Sequence, residues 1–210
     1  LELLHCKDRD TMLYAFSSRE LQLLPLDLTG TGASGVSGSG DYTDAPTAVM
    51  QFLGFNTTRA PFDDAALRQA VSAAVDRQGL VDSCLLGHGA AAQFPVSPAS
   101  ERYPAALETP YDPLGLQQLT AAEDPADGGE GTPANGGGNA GNTSSDKGLR
   151  DSYAGVSVTL LVNEENSFKV AAAQEVAYSL SRCGLTVTVE TAPWETYLQR
   201  LADRDFDLYY

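Results

Sequence analysis

The sequence predicts an α/β fold of the mixed α+β kind, built on a βαβαβ unit. Three observations predict it. Residues 156–210 read as strand, helix, strand, helix, strand, an order that favours parallel pairing of at least the first two strands. Leu67, Ala70, Val71, Ala74 and Val75 recur at i, i+3, i+4, i+7 and i+8, the stripe of a helix packed on a core. With 210 residues, 42% of them apolar and 20% charged, the chain is long enough to bury that core.

Taken in order, residues 12–28 read as a short helical turn feeding a strand that ends near Leu26, after the break at Pro25. Residues 49–56, Val-Met-Gln-Phe-Leu-Gly-Phe-Asn, read as a largely buried strand, and residues 56–61 as a turn. Asp63 is placed to cap the next helix, since its carboxylate can accept from free backbone N–H groups. Phe62 before it and Leu67 within it can pack as a hydrophobic staple. Asp76 at the end of that helix would oppose its dipole, so it reads better as the cap of a second short helix, residues 77–86, closed by Gly87.

The last third is the most regular. Residues 156–162 form a strand, and Asn166 or Ser167 caps a helix that runs to Cys183. Val176, Ala177 and Leu180 face inward, and Gly184 takes the position after the helix end. Residues 185–190 alternate as a strand, Pro193 suits the first turn of a helix over 194–202, and residues 206–210 form the closing strand.

Glycine marks the boundaries. Five of the 20 glycines fall in residues 30–40 and eight in residues 128–148, both of linker composition. The expected organisation is a short N-terminal piece with a Gly/Ser linker over 1–40, then one lobe over 41–210 carrying a low-complexity insertion at about 122–152. Neither glycine stretch has the strand–Gly-rich loop–helix pattern of a phosphate cradle, and Lys147-Gly148 is in the wrong order for one.

Lys and Arg number 13 against 28 Asp and Glu, a net charge of −15, which argues against nucleic acid and anionic membrane surfaces. No apolar run reaches the ~18 residues of a membrane helix. The N-terminus lacks a signal-peptide pattern and an initiator Met, so the chain reads as a processed protein or an excised piece. Cys6, Cys84 and Cys183 are an odd, widely spaced set, and Cys84 and Cys183 fall in apolar helical contexts expected to bury them. His5 and His88 have neither the spacing of a metal site nor a nucleophile placed beside them. No metal, cofactor or catalytic residue is expected, and the chain does not read as an enzyme.

The block Phe52-Leu53-Gly54-Phe55-Asn56, then Pro61-Phe62-Asp63, Arg68-Gln69-Ala70 and Asp76-Arg77 resembles the signature of the bacterial extracellular solute-binding proteins of family 5, the dipeptide and oligopeptide class that serves ABC transporters. Leu80-Val81 to Gly87, Phe94-Pro95-Val96-Ser97-Pro98 and Tyr111-Asp112-Pro113 continue the likeness, the last where the family begins its next helix. A second block resembles the family's strand–helix–strand unit. It runs from Val158 to Asn163, through Gly184-Leu185 and Trp194-Glu195-Thr196-Tyr197-Leu198, to Asp205-Phe206-Asp207-Leu208.

The resemblance implies a periplasmic-binding-protein-like second lobe, incomplete here because family members are more than twice this length, with residues 1–40 the tail of the preceding lobe. It implies capture of peptides or similar small solutes for import through ABC permease subunits. The protein would be a monomer, extracellular, at the cell surface or periplasmic, and anchored as a lipoprotein in its full-length form. Nickel and oligosaccharides are carried by relatives. The family's acidic residue that holds the peptide amino group would lie past Tyr210. Ligand-binding candidates are Asn56, at a strand end where its amide could reach ligand or hinge, and Tyr209 and Tyr210, one of which should face the cleft. The alternative is a sensory or regulatory protein that reuses such a lobe.

Overall fold

The structure is a computed structural model, and it describes residues 2–30, 41, 43–45, 47, 49–121 and 153–210. The linker at 31–40 and the expected insertion at 122–152 lie outside the described residues. A four-stranded mixed sheet is ordered β1-β4-β2-β3, from β1 (Gly54–Phe55), β2 (Ser157–Asn163), β3 (Thr186–Ala192) and β4 (Leu208–Tyr209). β2 pairs parallel with β3 from Ser157↔Thr186 to Asn163↔Ala192 and parallel with β4 at Leu160↔Leu208 and Leu161↔Tyr209. β1 closes the other edge antiparallel to β4.

Helices cover both faces, so β2 is buried through Leu160, Leu161, Val162 and Asn163 without alternation. On one face Val158, Leu160, Val162 and Leu208 meet Ala173, Val176 and Leu180 of α5 (Ser167–Arg182), with Leu67 and Val71 of α2 (Ala65–Ala74) and Leu116 of α4 (Pro113–Thr120). On the other face Leu161 and Ala192 meet Tyr197 of α6 (Trp194–Asp203) and Phe206. The sequence signals work as expected at the element ends. Asn166 Oδ1 accepts from the Lys169 N–H, Asp76 Oδ1 caps α3 (Arg77–Cys84) at Gly79, and Asp112 caps α4 at Gly115. Gly184 takes the left-handed conformation at φ 86°, where a Cβ would also strike the Thr120 hydroxyl.

Five expectations are corrected. The first helix, α1 (Arg9–Ser17), starts earlier than read because Asp8 caps it at Thr11. No strand follows it: Arg19 turns left-handed at φ 65° and Leu23 stands exposed, with no neighbouring strand among the described residues to take its hydrogen bonds. The strand expected over 49–56 shrinks to Gly54–Phe55, because β4 pairs with it only at those two positions, and Phe52 is left 53% exposed. Asp64, one residue after Asp63, caps α2 by accepting from Ala66 at 2.7 Å, while Phe62 and Leu67 do share the core. Cys183 is buried, but Cys84 at the end of α3 is only half-buried.

Candidate functional site

In open sheets of this kind ligands are taken outside the carboxyl ends of the parallel strands. Here those ends bring together Asn163 of β2, Ala192 of β3 and Tyr209 of β4, with Trp194 just beyond β3. Tyr209 lies on the α6 face beside Leu161. Its ring meets the edges of Phe52 at 5.9 Å and Phe206 at 5.1 Å, both near-perpendicular. Its hydroxyl has no hydrogen-bond partner among the described residues.

Tyr210 points to the opposite face, into the main core. Burial, with a smaller contribution from the Cys84 thiol, pushes its phenol up to about 12. Its backbone N–H donates to Leu161 O at 3.0 Å, and its carbonyl accepts from the Tyr197 hydroxyl at 3.1 Å.

Asn56 sits at the other end of the sheet, where its N–H donates to Asp207 O at the start of β4. It is buried, and its amide is fully engaged. Nδ2 donates to Arg204 O at 3.0 Å and Phe206 O at 2.9 Å, while Oδ1 accepts from the Thr58 N–H and hydroxyl. The structure therefore brings Tyr209 alone of the three candidates to the open strand ends on the α6 face, and leaves Asn56 at the opposite end with its amide fully engaged.

Two features escaped the sequence reading. Asp207 ties three elements: Oδ2 accepts from the Thr159 N–H at 2.8 Å and hydroxyl at 3.0 Å, and Oδ1 meets Arg59 at 3.0 Å. Its signal was the closing Asp-Phe-Asp-Leu run. Asn163 is the other, a polar residue that ends the apolar run Leu160-Leu161-Val162 inside the fold.

Among the described residues no group of three or more His, Cys, Asp or Glu could hold a metal ion, and no helix is long and apolar enough to cross a membrane. His88 Nδ1 instead lies 2.8 Å from Asp44 Oδ1. A groove of about 190 Å³ between α3 and α5, lined by Leu80, Tyr111, Glu175, Tyr178 and Arg182, opens elsewhere on the helical side.

Comparison with known proteins follows the same lines. The profile of the family described as bacterial extracellular solute-binding proteins, family 5 Middle, matches residues 1–210. Oligopeptide-binding protein AppA of Bacillus subtilis is 26% identical over 159 residues, 74% of this chain and 26% of AppA. Heme-binding protein A of Haemophilus influenzae is 36% identical over 73 residues, 34% of this chain and 13% of that protein. The chain thus spans about a quarter of the length of AppA and 13% of the length of heme-binding protein A. The structure of AppA in complex with a nonapeptide matches with a TM-score of 0.54 at 25% identity, covering 75% of this chain and 29% of AppA. NikA of Brucella suis in complex with Fe(III)-EDTA matches with a TM-score of 0.53 at 18% identity over 75% of this chain and 29% of its own, a likeness of fold.

Proposed function

We propose a function from one premise: the chain belongs to the bacterial extracellular solute-binding proteins of family 5. It is a ligand-binding lobe that captures a peptide, or a similar small solute, for import through the permease of an ABC transporter. It carries no catalysis of its own. It works outside the cell membrane as a monomer, held there by a lipid anchor, as one lobe of a longer protein. A second lobe closes over the ligand by hinge motion, and the buried ligand is handed on when the lobes open.

Residues 1–40 serve as the tail of the preceding lobe with its linker, and 41–210 as the lobe itself. Exposed Leu3, Leu4, Tyr14 and Leu23 support this, because among the described residues 2–30 only Ala15 is buried. Tyr209 faces the ligand, Tyr210 holds β4 in register, and Asn56 fixes the turn beside the start of β4. The observation that carries the reading is Tyr209, whose unpartnered hydroxyl and aromatic neighbours stand where strand ends open. Such a mostly apolar wall with few polar groups is the usual make-up of a small-ligand site.

The test is calorimetry of the whole gene product with soluble peptides of graded length. Saturable binding that weakens in Tyr209→Ala supports the reading, and its absence for every peptide refutes it.

A further inference from the structure

We propose that the side-chain amide of Asn163 reads the ligand, donating a hydrogen bond to a carbonyl oxygen of a bound peptide. This rests on the function proposed above and deepens it by naming the atom and the chemical group that it recognises.

The orientation of the amide is set by its own loop. Oδ1 of Asn163 accepts from the Glu165 N–H at 2.8 Å, so the nitrogen is the end that points away. Asn163 is only 9% exposed, yet among the described residues no acceptor lies within hydrogen-bond reach of Nδ2. No fully buried side-chain nitrogen or oxygen among those residues lacks a partner, so Nδ2 must be where Asn163 meets the surface. Buried polar groups are nearly always satisfied, and one held in place with its donor open is a place for an incoming acceptor.

Its surroundings fit that acceptor. Asn163 lies two residues beyond Leu161 on β2, on the same face, and Leu161 pairs with Tyr209. The open amide and the open phenol hydroxyl therefore share one face of the sheet. Trp194, 46% exposed, begins α6 directly after Ala192, which pairs with Asn163, and Pro193. Three residues beyond Asn163, Asn166 caps the 16-residue helix α5, whose first turn carries N–H groups with no helical acceptor. These are donors, so the ligand presents oxygen. Glu164 and Glu165 stand exposed in the same loop and disfavour a free carboxylate. A neutral peptide carbonyl meets both conditions.

The test separates the loop role of Asn163 from its ligand role. Asn163→Asp keeps an oxygen for the Glu165 N–H, removes the donor, and adds a negative charge that would itself repel a carbonyl oxygen. In the whole gene product, titrated with soluble peptides of two to nine residues, the unaltered protein binds. Asn163→Asp binds about tenfold more weakly or worse, with its melting temperature unchanged to within about 2 °C. Unchanged affinity in Asn163→Asp overturns the inference and leaves the proposed function standing. A lowered melting temperature with unchanged affinity assigns the amide to a bond within the protein and also overturns it. Failure of the unaltered protein to bind any of the peptides overturns both. Should Asn163→Asp not fold, the side-chain amide resonances of Asn163 in the unaltered protein decide: they shift when peptide is added, and their failure to move refutes the inference.

Discussion

Gly54 and Tyr209 face each other across the β1–β4 ladder, and the phenol ring of Tyr209 occupies the space that a side chain at position 54 would fill. Built there, a Cβ would overlap Cε1 and Cζ of the ring. Phe52 and Phe206 hold the ring from its edges, so it cannot tilt away freely.

Gly54→Ala is therefore expected to cost about 1–3 kcal/mol, the usual penalty of overpacking. Urea denaturation checks it through the midpoint at constant slope. Tyr209→Ala in the same chain should recover part of the loss, because the two sites are in contact and their effects are not additive. Equal losses with and without the Tyr209 ring would show that the ring is not the obstacle.

Asp207 and Arg59 form an ion pair, but the two substitutions should differ. Asp207 is 15% exposed and also accepts from the Thr159 N–H, whereas Arg59 is 46% exposed. Arg59→Ala removes a screened surface pair, at about 0–1 kcal/mol. Asp207→Ala strands a backbone donor in a partly buried place, at about 1.5–3 kcal/mol. Denaturation midpoints of the two variants rank them, and an equal cost would mean that the Thr159 bond contributes nothing.

The C-terminal unit was legible in the sequence because its signals are local. Asn166, Gly184 and Pro193 mark helix ends by chemistry that needs no distant partner. The strand expected to end near Leu26 and the one expected at 49–56 needed a neighbour, and apolar content cannot say whether one exists: β4 offers β1 two residues. The site was legible only in part. Tyr209 stands at the strand ends, but the amide of Asn56 is engaged by Arg204 and Phe206, about 150 residues away, contacts that no local pattern reveals. Asn163 was hidden for a different reason: the sequence shows neither its 9% exposure nor that its oxygen is taken by the Glu165 N–H, which leaves the nitrogen open.

Tyr153 links pH to stability at both ends of the scale. Burial, then its hydrogen bond to Asp64, pushes its phenol up to about 12, from about 10 in the unfolded chain. A raised value gives stability that is complete below pH ~10 and lost as pH climbs toward 12. The same bond, followed by the Ala66 N–H, lowers the Asp64 carboxyl, which adds stability above its unfolded value of about 3.9 that is lost as pH falls below it. Tyr153→Phe should flatten both limbs of the stability–pH curve. Retention of both limbs in that variant would place their origin elsewhere.

The thiols should divide by burial. Desolvation raises the Cys183 thiol, while Cys6 and Cys84 are half-buried. Titration of the native protein is expected to label Cys6 and Cys84 and to reach Cys183 only after denaturant. Native labelling of Cys183 would contradict the packing of α5 against Thr120.

On the proposed function, this chain supplies one wall of a peptide site and needs a second. Association costs about 4 kcal/mol or more in lost freedom, and each water-exposed hydrogen bond returns only about 0.5–1.5 kcal/mol. Two or three such contacts, from Tyr209, Asn163 and the first turn of α5, leave the isolated chain at about millimolar affinity or weaker. Calorimetry with one set of soluble peptides, run in parallel on the 210-residue chain and on the whole gene product, tests this directly. The expected result is saturable heat from the whole product and none from the chain. Micromolar binding by the chain alone, or none by either, would contradict it.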